Sequence, residues 1–237
     1  MRPPQFVVLA AGIGGRLGRS IPKPLTRLAT GRSIAQQQLD NIRGRFGADA
    51  RVLIVVGFKM GLVIEAVPDV TFAYNEHYHR TNTSKSLLKA LRLSADGGVV
   101  WLNGDVVFDP AVLDVMAPHI EADESFVCVN TAVVGEEEIK YTVDGDGYVR
   151  ELSKTVAGGL GEAVGINHVA AADREALAEH LAGCADTDYF ERAMETAIAA
   201  GRLRFRPLDI SRFYAVEVDF PADLDRANSR IGTVPQR

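Results

Sequence analysis

Hydrophobic positions in the first half of the chain form continuous runs that alternate with helical patterns. Residues 5–10 and 51–57 are unbroken apolar runs, which are typical of strands covered on both faces. Between them, Ser33 is placed to cap a helix over residues 34–46, and Gly47 follows its end. The alternation continues with a predicted helix at 59–67, a strand at 70–75, a helix at 84–93 and a strand at 98–108, which runs into a Gly-Asp turn. This order predicts a mainly parallel sheet with right-handed crossovers.

The second half has shorter runs. Residues 139–154 place two β-rich segments around Asp-Gly-Asp-Gly and predict a hairpin. Other predicted strands cover 125–134, 161–170, 202–210 and 212–220, and predicted helices cover 173–183, 187–200 and 221–231. With no linker or repeat, the pattern predicts one α/β domain over residues 1–237. Its fold class is a Rossmann-like, mostly parallel mixed sheet flanked by helices, with an inserted antiparallel portion.

The composition of the chain argues against some classes of binding partner. The net charge of −5 and the pI of about 5.6 argue against a general nucleic-acid binder. No run approaches the ~20 apolar residues of a membrane span. The N-terminal apolar stretch is short, is interrupted by Pro3 and Pro4, and has no small-residue cleavage site before Arg16. We therefore expect a cytoplasmic enzyme with no nucleic-acid or membrane partner, and a homodimer stays open.

The loop LAAGIGGRLGRSIPKPL, residues 9–25, follows the first predicted strand and is rich in glycine and basic residues. It does not fit the dinucleotide fingerprint, because Leu17 stands where the third glycine belongs. It does not fit the P-loop either, because Lys23 lies between Pro22 and Pro24. Ligands of such sheets bind outside the carboxyl ends of the strands. The loop is therefore predicted to bind phosphate in a third way.

That loop resembles the Leu-Ala-Ala-Gly-x-Gly-x-Arg-Leu and Pro-Lys-Pro-Leu signature of nucleotidyltransferases that join a nucleoside monophosphate to a phosphorylated small molecule. The likeness continues in order through NGDVVF, VRELSK, GEAVGI and EVDFPADLDRA, and covers nearly the whole chain. Residues 74–91 are similar to the corresponding segment of phosphocholine and phosphonate cytidylyltransferases, and they lack the Gln and Gly-Thr pair usual in sugar-phosphate members. The resemblance implies a nucleotide-binding part at 1–110, an acceptor-binding part with the metal-site strand at 111–237, and CTP as the nucleotide.

The resemblance also implies the nucleotide site. Glycine backbone N–H groups can approach a triphosphate, Arg16 can fork onto the β and γ oxygens, and Lys23 meets the α-phosphate. Two solvated loop charges are the alternative for Arg16 and Lys23, but they would not explain the glycines. For Gly12, Gly14 and Gly15 the alternative is an ordinary tight turn. The implied nucleotide-binding residues are Leu9, Ala10, Ala11, Gly12, Gly14, Gly15, Arg16, Lys23, Asn82, Thr83, Ser84, Ser86 and Asp105.

Three carboxylates are candidates for a Mg²⁺ site. Asp105 follows Gly104 at the end of a buried strand, where a lone carboxylate is costly. Glu217 and Asp219 alternate with valines, so both are expected on one face of a strand. Oxygen ligands suit Mg²⁺, and the family pattern makes Asp105 and Asp219 ligands, with Glu217 in or beside the set. A turn cap and a solvent-facing strand acid are the alternatives for Asp105 and Glu217.

The acceptor side rests on the resemblance alone. It implies that Lys154 meets the phosphate of the acceptor and acts in catalysis with Arg16 and Lys23. Glu162 would line the acceptor pocket, and Asp188 with Tyr189 would face the acceptor head group, where an acid and an aromatic ring can hold a cation. A strand-end lysine and a packing aromatic at a helix N-terminus are the structural alternatives.

These residues together favour a Mg²⁺-dependent cytidylyltransferase that transfers CMP from CTP to a small phosphate- or phosphonate-bearing acceptor and releases pyrophosphate. A sugar-1-phosphate or inositol-phosphate nucleotidyltransferase that uses another triphosphate stays open. An inactive nucleotide sensor with the same fold also stays open. A nicotinamide dehydrogenase fits poorly, because the second strand, RVLIVVG, does not end in an acid.

Overall fold

The computed structural model describes residues 4–14, 20–132, 134–135 and 138–231. Its strands are β1 (Gln5–Ala10), β2 (Arg51–Val56), β3 (Thr71–Tyr74), β4 (Val99–Asn103), β5 (Val106–Phe108), β6 (Phe126–Asn130), β7 (Lys140–Val143), β8 (Val149–Ser153), β9 (Gly161–Val169), β10 (Arg206–Asp209) and β11 (Ala215–Glu217). Its α-helices are α1 (Ile34–Phe46), α2 (Met60–Ala66), α3 (Thr83–Leu93), α4 (Val112–Glu121), α5 (Arg174–Gly183), α6 (Phe190–Ala199) and α7 (Pro221–Ile231). A short 3-10 helix covers Lys23–Leu25.

The large sheet has the strand order β10-β6-β9-β4-β1-β2-β3. Strand β1 lies parallel to both β2 and β4. Strand β2 is also parallel to β3, and β10 is parallel to β6. Strand β9 is antiparallel to both β4 and β6, and the hairpin of β7 and β8 attaches to β9. The predicted fold class, a mostly parallel mixed sheet with an antiparallel insertion, is confirmed.

Helices cover both faces of this sheet. Alternate residues of β1 enter two different cores: Val7 and Leu9 pack with residues of α3, α5 and α6, whereas Phe6 and Val8 pack with residues of α1, α2 and α4. The predicted α1 begins at a capping box, in which Ser33 Oγ accepts from Gln36 N and Gln36 Oε1 accepts from Ser33 N. Among the described residues, no helix is both long and apolar enough to cross a membrane.

The predicted strand 98–108 is two strands in two sheets. The chain breaks out of β4 at Gly104, whose N–H donates to Leu9 O at 3.0 Å. A Cβ at Gly104 would lie 2.8 Å from that same oxygen, so only glycine allows this approach. The next strand, β5, pairs antiparallel with β11 in a separate two-stranded sheet.

Strand β11 also corrects an expectation. It ends at Glu217, so Asp219 lies beyond the strand rather than two positions along the same strand face. The Asp219 N–H donates to Asp223 Oδ2 at 3.1 Å, because the backbone turns here into α7. Helix α4, which contains Pro118, had no predicted counterpart.

Candidate active site

A cavity of about 300 Å³ opens at the carboxyl ends of β1 and β4, as expected for a parallel sheet. The N-terminal residues of α3 and α6 form its far side. The lining residues are Leu9, Ala10, Gly12, Gly14, Lys23, Pro24, Asn82, Thr83, Asn103, Gly104, Asp105, Tyr189, Phe190, Glu191, Glu217 and Asp219. Most of the predicted nucleotide and metal residues therefore surround one space.

The glycine-rich loop holds Lys23 in place. Gly14 has φ +66°, a region that L side chains rarely adopt, and a Cβ there would lie 2.7 Å from Lys23 Cγ. Lys23 itself begins the short 3-10 helix, with Pro22 before it and Pro24 inside it. The loop backbone and the lysine stem thus pack directly together. Predicted residues Gly15 and Arg16 lie outside the described residues.

Lys23 joins two carboxylates from distant parts of the chain. Its Nζ donates to Asp105 Oδ2 at 2.9 Å and also to Asp219 Oδ1. Burial acts to lower the pKa of Lys23, but Asp105 and Asp219 outweigh burial and raise that pKa above its ordinary value. The backbone joins the same segments, because Val218 N donates to Asp105 O at 3.0 Å.

Glu217 lies beside this ion cluster and is held by Asn103, whose Nδ2 donates to Glu217 Oε1 at 3.0 Å. Burial, and next the charge of Asp105, raise the pKa of Glu217 to about 8. Gly165 in β9, at φ +67°, leaves room for this pair, since a Cβ there would lie 2.5 Å from Glu217 Oε1. The sequence motif NGDVVF contained Asn103, but its role depends on a contact that spans 114 residues.

The donor set suits a hard cation. Asp105 and Asp219 converge on one positively charged atom, Lys23 Nζ, which shows that the fold brings both carboxylates to a common cation. Within the described ranges, no group of three or more His, Cys, Asp and Glu side chains is arranged as a metal site by itself. A Mg²⁺ ion commonly retains waters and phosphate oxygens as its remaining ligands, so two carboxylates are a sufficient protein contribution.

The start of α3 is fastened to the start of α6. Asn82 Oδ1 caps α3 by accepting from Thr83 N at 2.8 Å, and Asn82 Nδ2 donates to Thr187 O at 3.2 Å. Thr83 Oγ1 accepts from Phe190 N at 3.1 Å. Two further predicted residues, Ser84 and Ser86, are buried and do not line the cavity. Ala11 does not line it either.

The predicted acceptor residues are less concentrated. Tyr189 lines the cavity, and Lys154 Nζ lies 5.7 Å from the centroid of its ring. Glu162 Oε2 accepts from Gly135 N at 2.9 Å, and Asp188 Oδ2 accepts from Ala185 N at 2.8 Å. Asp188 faces a second cavity, between α5 and α6. Of these four residues, the cavity lining includes Tyr189 alone.

Glu191 is a site residue that the sequence analysis missed. Its side chain is buried, it lines the cavity, and Oε2 has no hydrogen-bond partner among the described residues. Burial raises its pKa to about 7. One available signal was the helical spacing of Phe190, Ala193, Met194 and Ala197, which places an acid beside an apolar stripe.

Comparison with known proteins agrees with the predicted family. The model of a family described as MobA-like NTP transferase domain matches residues 6–197. The chain is 32% identical over 248 aligned positions to CMP-5'-(3-aminopropyl)phosphonate synthase of Streptomyces rubellomurinus. That alignment covers 96% of this chain and 39% of the relative, so the chain spans well under half of that protein's length.

Solved structures with the same fold bind different nucleotides according to their names. The inositol-1-phosphate CTP transferase from T. maritima superposes with a TM-score of 0.78 at 14% identity, over 100% of this chain and 99% of that one. The CTP:phosphocholine cytidylyltransferase from Streptococcus pneumoniae has a TM-score of 0.75 at 16% identity, over 97% of this chain and 99% of that one. A UDP-glucose pyrophosphorylase has a TM-score of 0.74 at 13% identity, over 97% of this chain and 98% of that one. At these identities the likeness shows the fold alone.

Proposed function

The chain belongs to the MobA-like NTP transferase domain family, and from this premise we propose that it is a cytidylyltransferase. It transfers CMP from CTP to a small acceptor that carries a phosphonate or phosphate, and it releases pyrophosphate. The observation that carries this proposal is the ion cluster of Lys23, Asp105 and Asp219 beside the glycine-rich loop. Such a cluster provides cationic and anionic groups where a triphosphate and its counterion would bind.

The reaction needs positioning and charge neutralisation more than proton transfer. An oxygen of the ionised acceptor attacks the α-phosphorus of CTP, a new O–P bond forms, and the bond to the bridging oxygen of pyrophosphate breaks. The electron pair leaves with pyrophosphate, so no catalytic base is required. Lys23 neutralises charge that develops on the α-phosphate, and preorganised charge of this kind is a large source of rate enhancement.

The metal ion in this proposal is Mg²⁺, held by Asp105 and Asp219. When bound, it would neutralise phosphate charge and stabilise the leaving oxygens. We expect Glu217 to support these ligands, because Asn103 donates to its carboxyl group and the charge of Asp105 acts on it. Lys23 already satisfies both carboxylates, so the side chain is positioned to exchange carboxylate for phosphate contacts when nucleotide binds.

CTP is the proposed nucleotide. Asn82 and Thr83, within the segment that resembles cytidylyltransferases, line the cavity opposite the glycine-rich loop. The relative from S. rubellomurinus is named for a CMP product, and its name also supports a phosphonate as the acceptor. A polar site rejects a mismatched base strongly because buried donors and acceptors would lose their partners.

Pyrophosphate release tests the proposal. CTP, UTP, GTP and ATP are each mixed with Mg²⁺ and one acceptor at a time: an alkylphosphonate, an aminoalkylphosphonate, phosphocholine, inositol 1-phosphate and glucose 1-phosphate. We expect the highest kcat/KM with CTP and a phosphonate or phosphocholine, and loss of turnover with chelator. Higher turnover with UTP and glucose 1-phosphate would contradict the proposed specificity, and no turnover with any pair would contradict the proposed activity.

A further inference from the structure

The cavity contains a buried acid that the proposed chemistry does not use. Glu191 is the second residue of α6, and its side chain is 8% exposed. Its Oε2 atom has no hydrogen-bond partner in the described part of the chain. Burying a carboxyl oxygen without a donor is costly, so such a group at the lining of a cavity calls for an explanation.

A second unsatisfied acceptor lines the same cavity. Asn103 Nδ2 is engaged by Glu217, but Asn103 Oδ1 is buried and has no donor among the described residues. Glu191 is close enough to Glu217 for its charge to raise the pKa of that residue. Asn103, Glu217 and Glu191 all line this cavity, which therefore presents two buried oxygens that have no donor among the described residues.

Among the described residues, the cation that acts on Glu191 is Lys154, which is engaged elsewhere. Lys154 directly follows β8, and its Nζ lies over the ring of Tyr189. Burial raises the pKa of Glu191 to about 7, and the hydrogen bond from the Glu191 backbone N–H and the charge of Lys154 lower that pKa only in part. The face of Tyr189 is thus already in contact with an ammonium group of the protein. Glu191 Oε2, in contrast, has no partner among the described residues and is available to a cation brought by the substrate.

We propose that Glu191 binds a primary ammonium group at the far end of the acceptor, with Asn103 Oδ1 as a second acceptor for its N–H groups. A primary ammonium has three N–H donors and matches two unsatisfied oxygens, whereas a quaternary ammonium has none. The acceptor class is therefore a short ω-aminoalkyl phosphonate or phosphate. This inference rests on the proposed function and adds the group that distinguishes one acceptor from another.

The test compares three acceptors that differ at one end: 3-aminopropylphosphonate, propylphosphonate and the N,N,N-trimethyl derivative of the first. Wild-type enzyme is expected to prefer the primary amine to propylphosphonate by about 100-fold in kcat/KM, in the range for a desolvated charge contact. Glu191→Gln is expected to reduce this ratio at least about tenfold, mainly through KM for the acceptor. Glu195→Gln, whose carboxylate pairs with Arg192 on the same helix at 2.6 Å, is the matched control and is expected to keep the wild-type ratio.

A length change separates recognition from a general structural effect. Glu191→Asp keeps the charge but withdraws it by one methylene. We expect this variant to retain a preference for amines and to move its optimum towards 4-aminobutylphosphonate. A variant that merely loosened the fold would lose activity with both chain lengths alike.

Calorimetric binding of 3-aminopropylphosphonate to wild-type protein and to Glu191→Gln decides the question without turnover. Equal affinity would overturn the role of Glu191, as would an unchanged acceptor ratio or a preference for the trimethyl derivative. Absence of pyrophosphate release with every acceptor would instead contradict the proposed function. The binding comparison would still show whether Glu191 contacts the amine.

Discussion

The two walls of the cavity handle charge in opposite ways. On one wall, which we call the paired wall, Lys23, Asp105 and Asp219 satisfy one another. On the other, the unpaired wall, Glu191 buries an oxygen that has no donor in the described part of the chain, and across the cavity from it Asn103 Oδ1 also has none. The paired wall is stable as it stands, and a ligand must exchange partners there. On the unpaired wall, burial of an acceptor without a donor costs free energy, and a ligand with N–H groups would remove that cost.

This difference indicates which wall influences the rate of the chemical step and which wall influences selectivity between acceptors. Groups that change partners as charge develops influence the chemical step, because their contacts strengthen in the transition state. Buried acceptors that have no hydrogen-bond donor in the free protein discriminate between substrates, because an analogue without the donor leaves them unsatisfied. We therefore expect substitutions on the paired wall to lower kcat and substitutions on the unpaired wall to change KM and stability.

The largest effect is expected from removing a carboxylate of the paired wall. Asp105→Ala and Asp219→Ala should each lower kcat by about 1,000-fold or more, because each deletes a proposed Mg²⁺ ligand and leaves phosphate charge uncompensated. Steady-state pyrophosphate release at saturating Mg²⁺ measures the loss. Asp114→Ala, which removes an exposed partner of Arg45, is the control. Near-wild-type rates in Asp105→Ala, with circular dichroism unchanged, would refute the site.

Removing the cation from the same wall is expected to cost less. Lys23→Ala should lower kcat by about 100-fold, with a smaller change in KM for CTP, because the proposed contact to the α-phosphate strengthens during transfer. Lys59→Ala is a suitable control, since Lys59 Nζ is exposed and donates to Ser20 O at 2.6 Å. If Lys23→Ala changed only KM, Lys23 would act in binding and the contrast between the walls would weaken.

On the unpaired wall, a substitution is expected to stabilise the free protein. The pKa of Glu191 is raised from 4.5 to about 7, so the folded state holds its proton more tightly and loses stability as pH rises from about 4.5 through 7. Glu191→Gln removes this penalty. We expect it to raise the free energy of unfolding by on the order of 1–3 kcal/mol at pH 8, with no gain near pH 4.5.

Urea denaturation of both proteins at pH 5 and pH 8 measures this difference. The measured difference includes the loss of the interactions of Glu191 with Lys154 and with Glu217, whose pKa the charge of Glu191 raises, as well as the removal of the buried carboxyl group. A Glu191→Gln variant that is less stable than wild type at pH 8 would show that the carboxylate is satisfied in solution.

The smallest effect concerns the glycine that supports the paired wall. Gly14→Ala places a Cβ 2.7 Å from Lys23 Cγ at φ +66°, which should cost about 1–2 kcal/mol. Tm should fall by about 2–8 °C for a chain of this size. Gly12→Ala, where an added Cβ meets nothing within 4 Å, should leave Tm of the nucleotide-free protein near the wild-type value. Equal Tm values for the two variants would contradict the packing of Gly14 against Lys23.

Local signals made much of the first half predictable. Ser33, Gln36 and Gly47 mark the ends of α1 within a few residues of sequence, and the apolar run of β1 needs no distant partner to be recognised. The position of Lys23 at the carboxyl end of β1 followed from the alternation of strands and helices. The position of Asp105 just after a buried strand could also be predicted, because a glycine and an acid directly follow an apolar run in the sequence.

Distant contacts explain what the sequence did not show. The split between β4 and β5 depends on pairing with β11, more than 100 residues away, so residues 98–108 resembled one strand. The unsatisfied state of Glu191 depends on how α6 packs on the hairpin and on α3. Asp188 and Glu191 both lie near the start of α6, and sequence alone gave no reason to prefer the second.

The two-stranded sheet of β5 and β11 has a consequence for synthesis on the ribosome. Val218, whose N–H donates to the backbone oxygen of Asp105, and Asp219, which shares Lys23 with the Asp105 carboxyl group, are made more than 100 residues after Asp105. A nascent chain that has already completed β1 to β4 therefore carries the glycine-rich loop without its second carboxylate. Completion of this cavity therefore waits for residues more than 100 positions further along the chain, and a product truncated before Val218 would hold the loop but lack the completed ion cluster.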